Sequence, residues 1–213
     1  YFSASKIAWL LENDPKLRVR ANKGEIAVGT IDSWLIYKLT GGEHVIDVTN
    51  ACRTLLYDVH KLAWSEELCT CFGIPMNILP KVLPSDGDFG KTKKGLFAKQ
   101  IPIQAVLGDQ QAALFGQGCL NAGMAKNTYG TGCFLLMNTG DAPVLSTNRL
   151  LSTVAWSGVE ERTTYALEGS VFIGGAVVQW LRDGLNAIKG SAEVQGLAES
   201  VPDAGGVMVV PAF

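Results

Sequence analysis

Residues 101–116 restrict the fold more than any other stretch. Ile101 to Leu107 is apolar except for Gln104, the profile of a strand buried on both faces, and Pro102 sits where the first residues of a strand tolerate it. Gly108-Asp109 turns the chain, and Gln110 to Gly116, with Ala112, Ala113 and Phe115 on it, predicts a helix. A buried strand followed directly by a helix belongs to the α/β class. Asp109 stands between the carboxyl end of the strand and the amino end of the helix, the crevice where ligands of open α/β sheets gather.

Upstream, Ile7, Leu10 and Leu11 fall at helical spacing, with Ser3 or Ser5 available as a cap and Asp14-Pro15 as the break. A second short helix is expected to end at Gly24, followed by a strand at Ile26 to Val28. Thr30 or Asp32 can cap a third helix whose Ile31, Trp34, Leu35 and Leu39 share one face, and Gly41-Gly42 stops it. A strand at Val45 to Val48, a turn at Thr49-Asn50 and a strand at Leu55 to Val59 come next. Ser65 opens a helix closed by Gly73 and Pro75, and Leu79 to Gly95, with its prolines and glycines, predicts a loop.

Downstream the order changes. Met124 to Tyr129 and Cys133 to Met137 predict a hairpin across Gly130-Thr131-Gly132. Val154-Ala155 and Thr164 to Leu167 predict a second strand pair. A helix from Val171 to about Leu185 and a short strand at Val207 to Val210 follow. Hairpin, hairpin, helix reads as the opening of a new domain, giving parts of two domains, 1–118 and 119–213.

Charge and cysteine usage exclude several functions. The 18 basic and 20 acidic residues leave a net charge of −2, against the dense positive field that nucleic-acid binding needs. Lys91, Lys93, Lys94 and Lys99 read as one solvated face. No apolar run approaches the roughly 18 residues of a membrane span. The five cysteines have no repeated spacing, which predicts reduced, packed thiols in a cytoplasmic protein rather than a zinc site. His44 and His60 lack any nucleophile motif nearby.

The remaining candidates for chemistry each have a plainer alternative. Asp109 is either a general base accepting a proton from a hydroxyl or a helix N-cap. The Gly130-Thr131-Gly132 turn either presents N–H groups and a hydroxyl to phosphate oxygens or is a plain hairpin. Phe134 is core or the apolar floor of a small site. Gly174-Gly175 implies close approach of a ligand or of another piece of backbone, Gln179 stands one turn after Gly175, and Glu168 reads as a buried structural carboxylate.

Taken together, several segments resemble the FGGY carbohydrate kinases. Tyr1 to Asn13, with its lysine three residues before tryptophan, is similar to that family's first signature, and Gly29-Thr30-Ile31-Asp32-Ser33-Trp34-Leu35 to the stretch after it. Gly108-Asp109-Gln110-Gln111-Ala112-Ala113-Leu114 and Ala125-Lys126-Asn127-Thr128-Tyr129-Gly130-Thr131-Gly132-Cys133-Phe134 resemble the glycerol-phosphorylating branch. Tyr165 to Ser170 and Gln179 to Asp183 extend the likeness over nearly the whole chain. The resemblance implies an actin-like ATPase fold of two ribonuclease-H-like domains with a cleft between them. The implied reaction is ATP-dependent phosphorylation of glycerol to glycerol 3-phosphate, with Mg2+. It implies Asp109 as the base, Tyr1, Asp109, Gln110 and Phe134 at glycerol, and Gly130, Thr131, Gly175 and Gln179 at ATP. Asp109 is also implied to reach the metal through water, and the full-length enzyme to be a homo-oligomer, a dimer or tetramer.

Family members are more than twice as long as these 213 residues. The amino-terminal phosphate hairpin, an Arg-Glu pair for the polyol and a downstream adenosine motif are absent, so the sequence is expected to be an internal piece. A sibling kinase acting on a pentulose or other polyol, and an inactive binding protein derived from the family, are the competing readings.

Overall fold

The computed structural model describes residues 2–159 and 162–211, a mixed α/β chain that divides into two compact units. The first comprises Tyr1–Lys126 and Leu136–Glu168, the second Asn127–Leu135 and Gly169–Phe213.

In the first unit, α1 (Ser3–Asn13) has neither Ser3 nor Ser5 as its cap. Phe2 occupies that position in extended conformation, and the Ala4 N–H donates to the Thr54 carbonyl at 2.9 Å. Ala4, Ile7 and Leu11 pack inward with Leu56 and Ile78, while Leu10 faces out. Asp14 caps α2 (Pro15–Asn22) by accepting from the Lys16 and Leu17 N–H groups. The strand expected at 26–28 is absent: the Val28 N–H donates to the Ile78 carbonyl (2.9 Å) and the Val28 carbonyl lies 2.8 Å from His44 Nε2, with no ladder.

The third helix, α3 (Ile31–Thr40), ends at Gly41 in the left-handed region (φ 89°), as its sequence requires. Its expected apolar face does not turn inward. Ser33 and Ile36 are buried, whereas Ile31 is 77% and Trp34 58% exposed. Periodicity identifies a helix, but what packs against it decides which face is covered.

β1 (Val45–Asp47) leads directly into a one-turn helix, α4 (Val48–Ala51), where the sequence suggested only a turn, because the Asp47 carboxylate accepts the N–H groups of Thr49 and Asn50. The two-residue strands β2 (Tyr57–Asp58) and β3 (Ala63–Trp64) pair antiparallel. Ser65 caps α5 (Glu66–Cys71) as expected. Within the predicted loop lies a strand, β4 (Lys81–Leu83), parallel to β1 with Ile46 opposite Val82.

The run 101–107 is not a strand. Its pairing is limited to one isolated bridge, Lys91 with Pro102, and to irregular bonds such as Phe89 N–H to the Ile103 carbonyl (3.0 Å), and Ile101 is exposed. After it, α6 (Asp109–Gly116) forms as expected.

Four strands share one sheet: β5 (Ala125–Tyr129), β6 (Cys133–Gly140), β7 (Leu151–Trp156) and β8 (Thr164–Val171), in the order β5-β6-β8-β7. The division between units falls within β5, β6 and β8. β7 and β8 are antiparallel, with a register shift between Val154 and Trp156. Leu136, Ala155 and Ala166 from this sheet bury Leu114 of α6 and Cys119. In the second unit, α7 (Ala176–Asp183) starts later than expected because β8 continues through Val171, and α8 (Glu193–Glu199) follows. Val207 to Val210 is exposed and forms no strand.

Truncating Leu136, fully buried in that cluster, removes packing on both the helix and the sheet. Leu136→Ala is expected to cost about 3 kcal/mol, and Leu120→Ala, at an exposed leucine, well under 1 kcal/mol, by urea denaturation.

Candidate active site

Asp109 is the first residue of α6, and Gly108, not Asp109, is the N-cap. A relay of buried polar groups fixes this helix start. The Gly108 N–H donates to Thr49 Oγ1 at 2.8 Å, and the Thr49 hydroxyl donates to the Asp47 carboxylate at 2.8 Å. Asp47 also accepts from Asn50 Nδ2 (2.7 Å) and Ser85 Oγ (3.1 Å). A Cβ at Gly108 would stand 2.7 Å from Gln111 Oε1, so glycine there lets Gln111 fold beneath the turn toward Thr153 and Val154.

The Asp109 side chain is exposed above that base. Its Oδ1 accepts the Gln110 N–H at 2.8 Å, and Gln110 Nε2 lies 3.4 Å from Oδ2. Gln110 Oε1 accepts from Lys126 Nζ on β5. Lys126 is buried, and burial pushes its ammonium pKa down, opposed by the carboxylates of Asp109 and Glu168. Glu168 on β8 is 2% exposed and takes a two-pronged ion pair from Arg53, at 2.6 Å and 2.9 Å. The Arg53 guanidinium lies over the Phe2 ring, 4.8 Å from its centroid.

In the second unit, the Gly130-Thr131-Gly132 turn docks on the loop leading into α7. The N–H groups of Gly174 and Gly175 donate to the carbonyls of Thr131 (2.7 Å) and Gly130 (2.8 Å), and Gly130 N–H closes the turn on the Gly132 carbonyl (2.8 Å). A Cβ at Gly132 would meet the Val171 carbonyl at 2.6 Å, at Gly174 the Cys133 sulfur at 2.7 Å, and at Gly175 the Gly130 carbonyl at 2.7 Å. Close backbone packing therefore accounts for these three glycines. Gly174-Gly175 also precede α7 instead of lying inside it, so they do not weaken its interior. Gly130 differs: a Cβ there would meet only the Gly132 carbonyl, at an ordinary 3.7 Å. Packing therefore does not demand glycine at 130.

The structure thus brings Asp109 and Gln110 together in the first unit and Gly130, Thr131 and Gly175 together in the second. Thr131 is exposed, and Gln179 lies one turn into α7 beside a pocket of about 510 Å³ that Gly175 and Arg182 also line. Phe134, on β6, is half-buried. Tyr1 falls outside the described residues. Sequence reasoning missed Asp47, Thr49, Arg53 and Lys126. The signal available for Lys126 was a lysine at the same parity as half-buried Thr128 on a strand. No group of three potential metal-ligating side chains, and no helix long and apolar enough to cross a membrane, occurs among the described residues.

Comparison with known proteins adds two kinds of likeness. Residues 1–116 match the N-terminal domain, and residues 125–213 the C-terminal domain, of the FGGY family of carbohydrate kinases. Over its whole length the chain is 61% identical to a glycerol kinase of Deinococcus radiodurans and 60% identical to one of Methylibium petroleiphilum. It spans 42% and 43% of the length of those relatives. The crystal structure of Plasmodium falciparum glycerol kinase with ADP superposes with a TM-score of 0.92 at 41% identity, over 100% of this chain and 43% of that one. Xylulose kinase from Rhodospirillum rubrum shares the fold, with a TM-score of 0.76 at 21% identity over 95% of this chain and 41% of its own.

Removing Arg53 would leave Glu168 buried without its bidentate partner. Arg53→Met is expected to cost about 3 kcal/mol by urea denaturation, and Arg53→Met with Glu168→Leu to recover most of it.

Proposed function

Because the chain belongs to the FGGY family of carbohydrate kinases, with the actin-like ATPase fold of that family, we propose that the protein transfers a phosphoryl group from ATP to glycerol, giving glycerol 3-phosphate. The observation that carries this reading is the Asp109 carboxylate, exposed at the start of a helix whose position is fixed from beneath, in a chain 61% identical along its length to a glycerol kinase. The xylulose kinase likeness, at 21% identity, supports the fold and no sibling substrate.

Asp109 is the general base: it accepts the hydroxyl proton as the glycerol oxygen attacks phosphorus. Little covalent work is asked of it, since positioning and charge stabilisation dominate phosphoryl transfer. Gln110 hydrogen-bonds the substrate beside Asp109, and Phe134 and Tyr1 complete the glycerol contacts. ATP, when bound, supplies the group that is transferred. Gly130 gives the phosphates room, the Thr131 hydroxyl donates to them, and Gly175 and Gln179 contact the nucleotide. Asp109 would hold Mg2+ through water, in keeping with an ion that keeps several waters and takes few carboxylates. The five unpaired thiols favour a cytoplasmic setting. Assembly as a homo-dimer or tetramer, and a domain boundary near residue 119, belong to the same reading.

ADP release with glycerol and MgATP, by the protein at its full natural length, tests the assignment. Asp109→Asn is expected to lower kcat by about 10²- to 10⁴-fold with an unchanged melting temperature. Unaltered turnover would remove Asp109 from the chemistry. Gly130→Ala is expected to fold normally, since its Cβ meets no close neighbour, while the KM for ATP rises about ten-fold. An unchanged KM would show that the space at 130 is not used by nucleotide.

A further inference from the structure

Lys126 has no part in the roles assigned so far, yet its ammonium touches a residue that does. It sits at an inward-facing position of β5, 7% exposed, where a lysine is rare unless something holds its charge. Two things do so here. The nearby Glu168 carboxylate, itself clasped by Arg53, and Asp109 supply opposite charge, and Nζ donates to Gln110 Oε1.

Gln110 is consequently set between a group that can only donate and a group that can only accept. An ammonium has no acceptor and an ionised carboxylate no donor. With Oε1 on Lys126, the amide nitrogen points toward Asp109, where Nε2 lies 3.4 Å from Oδ2. A flipped carboxamide would put N–H against ammonium and carbonyl against carboxylate, two repulsive contacts in place of two attractive ones.

Resting on the kinase reading above, we infer that Lys126 is a positioning residue that locks the Gln110 carboxamide with its N–H group, not its carbonyl, presented to the substrate beside Asp109. The two neighbouring groups then read opposite properties of a polyol. Gln110 donates to one substrate oxygen, and Asp109 accepts from the hydroxyl that attacks. A freely flipping amide would present its carbonyl part of the time, and the substrate oxygen would lose its donor. Lys126 acts through Gln110, so its contribution should disappear when the Gln110 side chain is gone.

A double-mutant cycle tests this in the protein at its full natural length, reading kcat/KM for glycerol at saturating MgATP. Lys126→Met removes the donor at nearly constant volume, and Gln110→Ala removes its target. Each single substitution is expected to lower kcat/KM about ten- to hundred-fold. In the Gln110→Ala background, Lys126→Met is expected to lower it no further. Losses that multiply would assign Lys126 a general structural effect and overturn the inference, as would an unchanged kcat/KM in Lys126→Met alone. Should Lys126→Met fail to fold, Lys126→Gln, which offers acceptor and donors indiscriminately, enters the same cycle under the same criteria. Absence of glycerol turnover in the unsubstituted protein would remove the kinase reading and the inference with it, whereas turnover with multiplying losses removes the inference alone.

Discussion

The carboxylate of Asp47 is shut away from water at the end of β1, and such a group is tolerable only where hydrogen bonds replace its lost hydration. Here they come from every side. Backbone N–H groups of α4, the Thr49 hydroxyl, the Asn50 amide and the Ser85 hydroxyl all converge on its two oxygens. All but Ser85 belong to α4, so one side chain at the end of a strand ties that strand to a short helix and to the turn after β4. Ser85 passes the link on, since its N–H donates to the Ser157 carbonyl beyond β7 and its own carbonyl accepts from Val106. Thr49 passes it the other way, to the Gly108 N–H at the start of α6. Asp109 can be exposed and still well placed because the residue before it is anchored to this buried hub.

A second charged group, Arg53, Lys126 and Glu168, surrounds the same helix start with different physics. Asp47 is satisfied by neutral donors, whereas Glu168 needs a cation, and the guanidinium supplies two parallel bonds to its two oxygens. Lys126 is a point charge with freely turning donors, suited to one acceptor such as an amide oxygen. Arginine meets the carboxylate and lysine meets the amide, the pairing that the geometry of each head group favours. These side chains come from positions as far apart as 53 and 168, so their arrangement exists only once the first unit has folded.

In the second unit backbone alone does much of the positioning. Three glycines let the 130–132 turn and the loop before α7 approach within carbonyl-to-amide distance, and any larger residue at 132, 174 or 175 would drive them apart. The fourth, Gly130, is under no such pressure from its own protein. Glycines that look alike in sequence therefore differ in what packing asks of them: three are required by the close approach and the fourth is not.

By itself the sequence determined the helices that carry their own start and stop chemistry: α2 after Asp14-Pro15, α3 before Gly41, α5 after Ser65, and α6 behind Gly108. It also determined the hairpin around Gly130-Thr131-Gly132, the family, and Asp109 and Gln110 as the residues to watch, because caps, turn glycines and local motifs act over a few neighbouring positions. Tertiary structure decided everything that needs a distant neighbour. The apolar run 101–107 makes no strand, since a strand is defined by its ladder and only an isolated bridge forms; β4 emerges from a segment of loop composition because β1 lies alongside it. The apolar side of α3 faces outward, as burial belongs to the partner surface and not to the helix. Neither Lys126 nor Arg53 carries a local signal of its role, and only the folded first unit brings Lys126 to Gln110 and Arg53 to Glu168. Local periodicity fixes what a segment can become, and long-range packing fixes what it touches.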